Sequence, residues 1–246
     1  MIEARDLHKA FRQHAVLAGA SFEIEKGESV VIIGRSGGGK SILLKLLVGL
    51  IEPDRGSIHV DGQAITGKSE RELLQLRTRF GMLFQSAALF DSLTVAENVA
   101  FALRRIGGLT ESELAARVAR SLDLVDLNGT QTKMPSELSG GMRKRVGLAR
   151  AIVYNPEIIL FDEPTTGLDP IMADSIDQLI LRIGRELKVT SIVVTHDMKS
   201  AQRIAQRIMM LHEGQIYASG TTAEIFESKD AIVQRFVTGT SNGSLA

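Results

Sequence analysis

The stretch that decides the fold reads Val30-Val31-Ile32-Ile33-Gly34-Arg35-Ser36-Gly37-Gly38-Gly39-Lys40-Ser41. Four consecutive β-branched apolar residues predict a strand that is buried on both faces. The glycine-rich loop leads into a predicted helix, whose apolar face includes Leu43, Leu44, Leu47 and Val48. A strand, a loop and a helix in this order predict the opening of a parallel α/β core.

The loop fits the phosphate-binding pattern G-x-x-x-x-G-K-[ST], the P-loop. Its glycines allow successive backbone N–H groups to turn toward one point, and the helix N-terminus adds positive potential. Lys40 supplies a cation for the phosphates, and Ser41 supplies a hydroxyl that can bind Mg²⁺. The predicted nucleotide-binding residues of this segment are Gly34, Arg35, Ser36, Gly37, Gly38, Gly39, Lys40, Ser41 and Ile42.

Polar side chains follow other predicted strands, where open α/β sheets bind their ligands. The apolar strand at residues 158–161 ends in Asp162 and Glu163. We predict that Asp162 holds Mg²⁺ and that Glu163 is the general base for an attacking water. Gln85 and His196 also follow predicted strands and are expected at the crevice edge.

A second distinctive string, Leu138-Ser139-Gly140-Gly141-Met142, precedes a predicted helix. A serine and two glycines at a helix start can hold an anion through the hydroxyl and the N–H groups. The basic residues that follow, Arg143, Lys144, Arg145 and Arg150, are expected to form in part a solvated face.

The predicted organisation is one domain at residues 1–237, followed by a flexible tail at residues 238–246. Alternating short strands before residue 28 predict an antiparallel β subdomain. The Thr-x-x-Glu capping boxes at Thr94 and Thr110 predict helix starts within a helical subdomain at about residues 86–150. The predicted fold class is therefore α/β, a P-loop core with an antiparallel β subdomain and a helical subdomain.

Composition narrows the classes of function. The 246 residues are 44% hydrophobic, contain no cysteine and have a formal net charge of zero. The lack of cysteine excludes disulfides and thiolate metal sites, and the charge balance argues against a nucleic-acid partner. No signal peptide is predicted, and the apolar runs are too short to span a bilayer.

The order of these motifs resembles the ATPase family of ABC transporters. The P-loop, Gln85, LSGGM at 138–142, ILFDEP at 159–164, TGLD at 166–169 and His196 follow one another as in that family, and the resemblance covers about residues 1–237. It implies an ATPase that binds Mg-ATP between two copies of itself.

The resemblance also implies individual roles. Gln85 would contact Mg²⁺ and sense a membrane partner, and the loop at 139–142 would grip the γ-phosphate bound to the opposite copy. Asp169 would span the dimer, His196 would contact the γ-phosphate, and Phe11 would stack on adenine.

With these roles, the implied catalytic residues are Glu163, His196, Lys40 and Gln85, and the implied metal ligands are Ser41, Gln85 and Asp162. The ATP site would also include Phe11, Ser139, Gly140, Gly141, Met142 and Asp169. Met142, Phe11 and Thr166-Gly167-Leu168-Asp169 stand where the family more often has Gln, Tyr and SALD.

A narrower resemblance, to the Mla-type ATPases of Gram-negative lipid transporters, comes from residues 83–100, 134–137 and 165–170. It implies phospholipid transport that maintains outer-membrane asymmetry, with the chain on the cytoplasmic face of the inner membrane. The implied partners are an integral-membrane permease, a STAS-domain protein and an MCE-domain lipid-binding protein.

Two alternatives stay open. The chain could energise an importer for amino acids or other small solutes. The second alternative is a soluble ABC protein of DNA repair or translation. It is less favoured, because such a protein normally has two cassettes or a long coiled-coil insertion, and this sequence has neither.

Overall fold

The computed structural model describes residues 1–12 and 14–240 and divides into two compact units. The first unit comprises Met1–Lys68 and Val194–Ala246, and the second comprises Ser69–Val193. No helix in the described part of the chain is long and apolar enough to cross a membrane.

The described residues form strands and helices that alternate along much of the chain. The strands are β1 (Ile2–Phe11), β2 (His14–Ile24), β3 (Ser29–Ile33), β4 (Arg55–Val60), β5 (Gln63–Ala64), β6 (Phe80–Leu83), β7 (Ile158–Asp162), β8 (Thr190–Thr195), β9 (Arg207–His212) and β10 (Gln215–Thr221). The α-helices are α1 (Lys40–Leu47), α2 (Glu70–Arg77), α3 (Val95–Ile106), α4 (Glu111–Leu124), α5 (Gly140–Ile152), α6 (Pro170–Leu187), α7 (Met198–Ile204), α8 (Thr222–Phe226) and α9 (Ala231–Thr238), and Pro135–Glu137 is a short 3-10 helix.

The first unit contains the predicted antiparallel strands and the strand before the P-loop. The order β2-β1-β4-β5 forms an antiparallel sheet, in which β4 and β5 were not anticipated from the sequence. Strand β3 pairs in parallel with β9, and β10 pairs antiparallel with β9. The side chains of residues 30–33 are fully buried, as the run of β-branched residues predicts. This burial fixes the start of the P-loop.

The second unit contains the strand that ends in the two carboxylates. Strands β6 and β7 pair in parallel, and every residue of β7 is buried. Helices α3, α4 and α5 pack on one another, and α5 also packs on β6. Parallel pairing brings the carboxyl ends of β6 and β7 to one edge of the sheet.

Local capping chemistry sets the helix starts in this unit. Glu97 N–H donates to the Thr94 hydroxyl at 3.3 Å, and Thr94 N–H donates to the Glu97 carboxylate at 2.8 Å. The same reciprocal pair caps α4 at Thr110, so both predicted capping boxes are confirmed. A third box at Ser69 begins α2 and was not predicted from the sequence.

Helix α9 ends at Thr238, the first residue of the predicted tail. Residues 241–246 of that tail lie outside the described residues. The helical subdomain at about residues 86–150 stays a prediction.

Each unit carries one of the two tyrosines. In the second unit, the Tyr154 hydroxyl donates to the Phe80 carbonyl, and burial raises the pKa of this phenol to about 12. In the first unit, the Tyr217 hydroxyl donates to the Asp230 carboxylate at 2.9 Å. Tyr154 thus ties the chain beyond α5 to β6.

Candidate functional site

The P-loop joins β3 to α1, and its backbone depends on glycine. Gly39, the N-cap of α1, has φ 96°, a conformation that L side chains rarely adopt. A Cβ at this position would lie 2.8 Å from Val16 Cγ1 and 3.0 Å from the Val16 carbonyl oxygen. Gly39 is therefore required by both backbone conformation and space.

Lys40 lies over the loop that it follows. Its ammonium donates to the carbonyl oxygens of Gly34 at 2.8 Å and Arg35 at 3.2 Å, and its side chain is buried. Helix α1 begins at Lys40 and has no acidic residue in its first turn. The positive end of the helix dipole, the ammonium and the loop N–H groups together favour an anion here.

His196, which follows β8, shares a cavity with the P-loop. This cavity of about 650 Å³ lies within the first unit and is lined by Arg35, Ser36, His196, His212 and Arg235, among others. Two of these side chains, Arg35 and Arg235, are cationic, which suits an anionic group. The structure thus brings His196 beside the loop, while its contact with a γ-phosphate stays a prediction.

Phe11, the predicted adenine-stacking residue, ends β1 and is exposed. The Lys9 ammonium lies 5.6 Å from the centroid of the Phe11 ring, a cation–π distance. The Lys9 ammonium also forms an ion pair with the Asp54 carboxylate, at 2.7 Å. The ring is thus available to a planar ligand, and its role stays a prediction.

In the second unit, Asp162 ends β7 and Glu163 turns the chain out of the strand. Both side chains are buried, and Glu163 has φ 48°, in the left-handed region. That conformation costs a non-glycine residue about 1–2 kcal/mol. Thr166 supports the turn, since its N–H donates to the Glu163 carbonyl at 3.3 Å and its hydroxyl donates to the Glu163 carboxylate at 3.2 Å.

Gln85 follows β6 and is exposed. The Lys144 ammonium donates to the Gln85 carbonyl and, at 3.2 Å, to the Glu163 carbonyl. Burial lowers the pKa of Lys144, and the charges of Asp162 and Glu163 oppose this effect. One buried cation therefore connects the peptide groups of two predicted site residues.

Two other predicted site residues cap helices of their own chain. The Ser139 hydroxyl accepts from Met142 N–H at 3.3 Å and caps α5. The Asp169 carboxylate accepts from the N–H groups of Ile171 and Met172, each at 3.0 Å, and caps α6. These caps fix where both residues lie, while their contacts with a second copy stay predictions.

The expectation that the basic run after LSGGM is solvated only in part is confirmed, but the burial of Lys144 was not predicted. Lys144 is only 5% exposed, and Arg150 donates to the carbonyls of Ala87 and Ala88, each at 2.7 Å. Arg145 donates to the Val125 carbonyl at 2.7 Å, which leaves Arg143 as the exposed member. Helical spacing carried the missed signal, because Lys144 shares a face with the buried Gly147, Leu148 and Ala151.

The predicted magnesium ligands fit that ion by their chemistry. Ser41 offers a hydroxyl, Gln85 an amide oxygen and Asp162 a carboxylate, and Mg²⁺ prefers oxygen ligands. Asp162 is buried at the end of β7 and Gln85 follows β6, at the same edge of the sheet in the second unit. Magnesium binding stays a prediction.

Comparison with known proteins gives a consistent result. Residues 17–166 match the sequence model of the ABC transporter family. Protein TRIGALACTOSYLDIACYLGLYCEROL 3, chloroplastic, of Arabidopsis thaliana is 42% identical over 262 residues, covering 100% of this chain and 75% of that protein. The intermembrane phospholipid transport system ATP-binding protein MlaF of Haemophilus influenzae is 41% identical, covering 99% of this chain and 92% of that protein.

Two further matches concern the alternative substrate and the fold. The methionine import ATP-binding protein MetN 1 of Pseudomonas putida is 41% identical and covers 96% of this chain and 72% of that protein. An ATP-binding cassette solved as a dimer in a post-hydrolysis state, with ADP and phosphate bound, has a TM-score of 0.83. It is 31% identical and covers 90% of this chain and 99% of that one. The predicted P-loop ABC fold is thereby confirmed.

We expect Gly39→Ala to raise the Kd for Mg-ATP about tenfold or more, because the left-handed φ and the contact with Val16 together cost more than about 1.4 kcal/mol. Gly27→Ala is the matched control, since Gly27 has φ 78° and no atom near the added Cβ. Titration with a fluorescent ATP analogue measures both. Equal affinities of the two variants would contradict this account of the loop.

Proposed function

The chain belongs to the ABC transporter family as an ATP-hydrolysing subunit, and we propose that the transport it energises is that of phospholipids. The observation that carries this proposal is the match to MlaF, which extends over almost the whole of both chains. The chloroplast relative carries the name of a glycolipid, and it supports the broader class of lipid transport. ATP hydrolysis would drive the transport step whichever class of lipid is carried.

We assign the chemical roles residue by residue. The P-loop N–H groups and Lys40 would bind the β- and γ-phosphates, and Glu163 would accept hydrogen bonds and a proton from the attacking water. Magnesium, when bound, would neutralise phosphate charge as the γ-phosphate leaves. His196 would hydrogen-bond the γ-phosphate and Phe11 would stack on adenine.

A second copy of the chain completes the proposed site. Each chain has one P-loop and one LSGGM segment, and the matched cassette is a dimer. We propose that Ser139, Gly140, Gly141 and Met142 bind the γ-phosphate held by the partner copy, with Asp169 at the interface. A subunit of a transport system also requires a permease, and the proposed further partners are a STAS-domain protein and an MCE-domain lipid-binding protein. The proposed location is the cytoplasmic face of an inner membrane.

The alternative is a solute importer. The methionine import relative matches over nearly all of this chain at the same identity as MlaF, but over a smaller share of its own length. Identity therefore leaves amino-acid import as the second candidate, and mutual coverage favours the lipid transporter.

We expect Glu163→Gln to bind Mg-ATP normally and to lose hydrolysis about 10²-fold or more, since the amide keeps its size but lacks basicity. The same variant should accumulate as a dimer in Mg-ATP, which size-exclusion chromatography with light scattering detects. Lys40→Ala should instead fail at nucleotide binding, because it lacks the phosphate-facing charge. Turnover near that of the wild type in Glu163→Gln would refute the assignment of the base.

An exposed aromatic pair follows Gln85. Phe90 and Phe101 are 43% and 40% exposed, and their ring centroids lie 4.5 Å apart. The Asn98 side chain fixes the turn from Phe90 to Leu93. Its oxygen accepts from Phe90 N–H at 2.8 Å, and its amide donates to the Phe90 and Leu93 carbonyls. We propose that the segment 86–93 forms part of the docking surface for the permease.

We expect Phe90→Asp to weaken permease copurification about tenfold, the scale for an aromatic anchor at an interface. Phe90→Leu is the control that keeps an apolar side chain. The free subunit should keep its melting temperature in both variants, because Phe90 is 43% exposed and lies outside the buried core. A large fall in melting temperature with Phe90→Asp would show that the ring belongs to the core.

The substrate class is tested on the complex purified with its native membrane partners. We expect ATPase activity in nanodiscs to rise with phospholipid content and to show no response to methionine or other amino acids. Mass spectrometry of the extract should identify phospholipid retained by the complex, with the Glu163→Gln complex as the non-hydrolysing control. Stimulation by an amino acid without retained lipid would favour the importer.

A further inference from the structure

Lys144 occupies a position between the two loops that carry predicted catalytic groups. It is buried on the face of α5 that packs on β6, and its ammonium donates to the backbone carbonyls of Gln85 and Glu163. These two acceptors are 59 and 19 residues away in the sequence. A single side chain thus joins the loop after β6 to the loop after β7.

Both acceptors belong to turns whose shape sets the position of a side chain. Glu163 has a left-handed backbone, and its carbonyl also accepts from Thr166 N–H. After Gln85, Ala87 and Ala88 are likewise left-handed, and Ala87 N–H donates to the Phe84 carbonyl at 2.9 Å. Left-handed backbone in residues other than glycine persists only where the surroundings hold it. Lys144 supplies part of that support at both turns.

Arg150 provides an internal comparison on the same helix. Its guanidinium donates to the carbonyls of Ala87 and Ala88, so it supports the loop after β6. The bonds described for Arg150 do not reach the loop after β7. Lys144 differs in that it contacts both loops.

We propose that Lys144 is a positioning residue that fixes Gln85 and Glu163 relative to each other and thereby sets the rate of hydrolysis, an inference that rests on the assigned role of Glu163. The ammonium is suited to this because it offers three donors on a flexible stem, enough to hold two carbonyls at once. Its position on α5, the helix that begins at the LSGGM segment, also connects that segment to both loops.

The first test measures local order. In hydrogen exchange of the full chain, Lys144→Met should speed exchange of the Ala87 and Thr166 amides, which close the two turns. Arg150→Met should speed the Ala87 amide alone. Lys133→Met, which carries the same change at an exposed lysine of the second unit, should alter neither. Exchange that rises at only one turn in Lys144→Met, or evenly across the unit, would overturn the proposal.

The second test measures turnover in the assembled transporter. Lys144→Met should lower kcat about tenfold or more with the KM for ATP within about threefold, because displacement of a base by about 1 Å costs rate more than ground-state binding. Lys144→Arg, which keeps the charge and the donors, should recover a large part of kcat.

The outcomes separate this inference from the site assignment. If Glu163→Gln is inactive while Lys144→Met keeps its kcat, the positioning role is wrong and the base assignment stands. If Glu163→Gln is active, the assigned site itself is wrong. If Lys144→Met loses activity together with its melting temperature and Lys144→Arg restores neither, Lys144 serves stability alone and the proposal fails.

Discussion

Carbonyl groups in the turns that leave a buried sheet must find donors, and in the second unit the cations of one helix supply them. The carbonyls of Gln85, Ala87, Ala88 and Glu163 accept from side chains of α5. A carbonyl that is buried without a donor would cost about 1–3 kcal/mol, so these contacts stabilise the shape of the loops where they are buried. The placement of α5 against β6 is therefore a condition for the geometry of both loops.

Strain and support occur together at this edge of the sheet. Glu163, Ala87 and Ala88 all have positive φ, and each lies within a turn that a buried or half-buried cation contacts. Strained backbone of this kind is typical of sites where a side chain must be held away from its relaxed position. The first unit solves the corresponding problem differently, because the residue with positive φ at position 39 of its loop is a glycine.

The elements that could be predicted are those with local signals. In each of these elements the pattern that predicts it lies within a few residues, and the structure confirms it. They are the strand at residues 30–33, the strand before Asp162 and the capping boxes at Thr94 and Thr110. Helical spacing indicates the burial of Lys144, but its contacts could not be read in this way, because its acceptors are 59 and 19 residues distant and only the fold brings them together. Sheet topology predicts that the polar residues after the strands lie at the carboxyl edge of the sheet, but it does not predict the contacts of each side chain.

The two phenol groups lie in different units, and only the one in the second unit is buried. There is no tryptophan, so near-ultraviolet absorption and emission come chiefly from Tyr154 in one unit and Tyr217 in the other. The Tyr154 phenol, with its pKa raised to about 12 by burial, stays protonated through mild alkali while its unit is folded. Its ionisation at lower pH therefore signals opening of the second unit, whereas the Tyr217 phenol, whose pKa is raised by its hydrogen bond to Asp230, is exposed and can ionise without unfolding. The phenolate absorbance of Tyr154 is thus an intrinsic probe of the second unit that needs no added label.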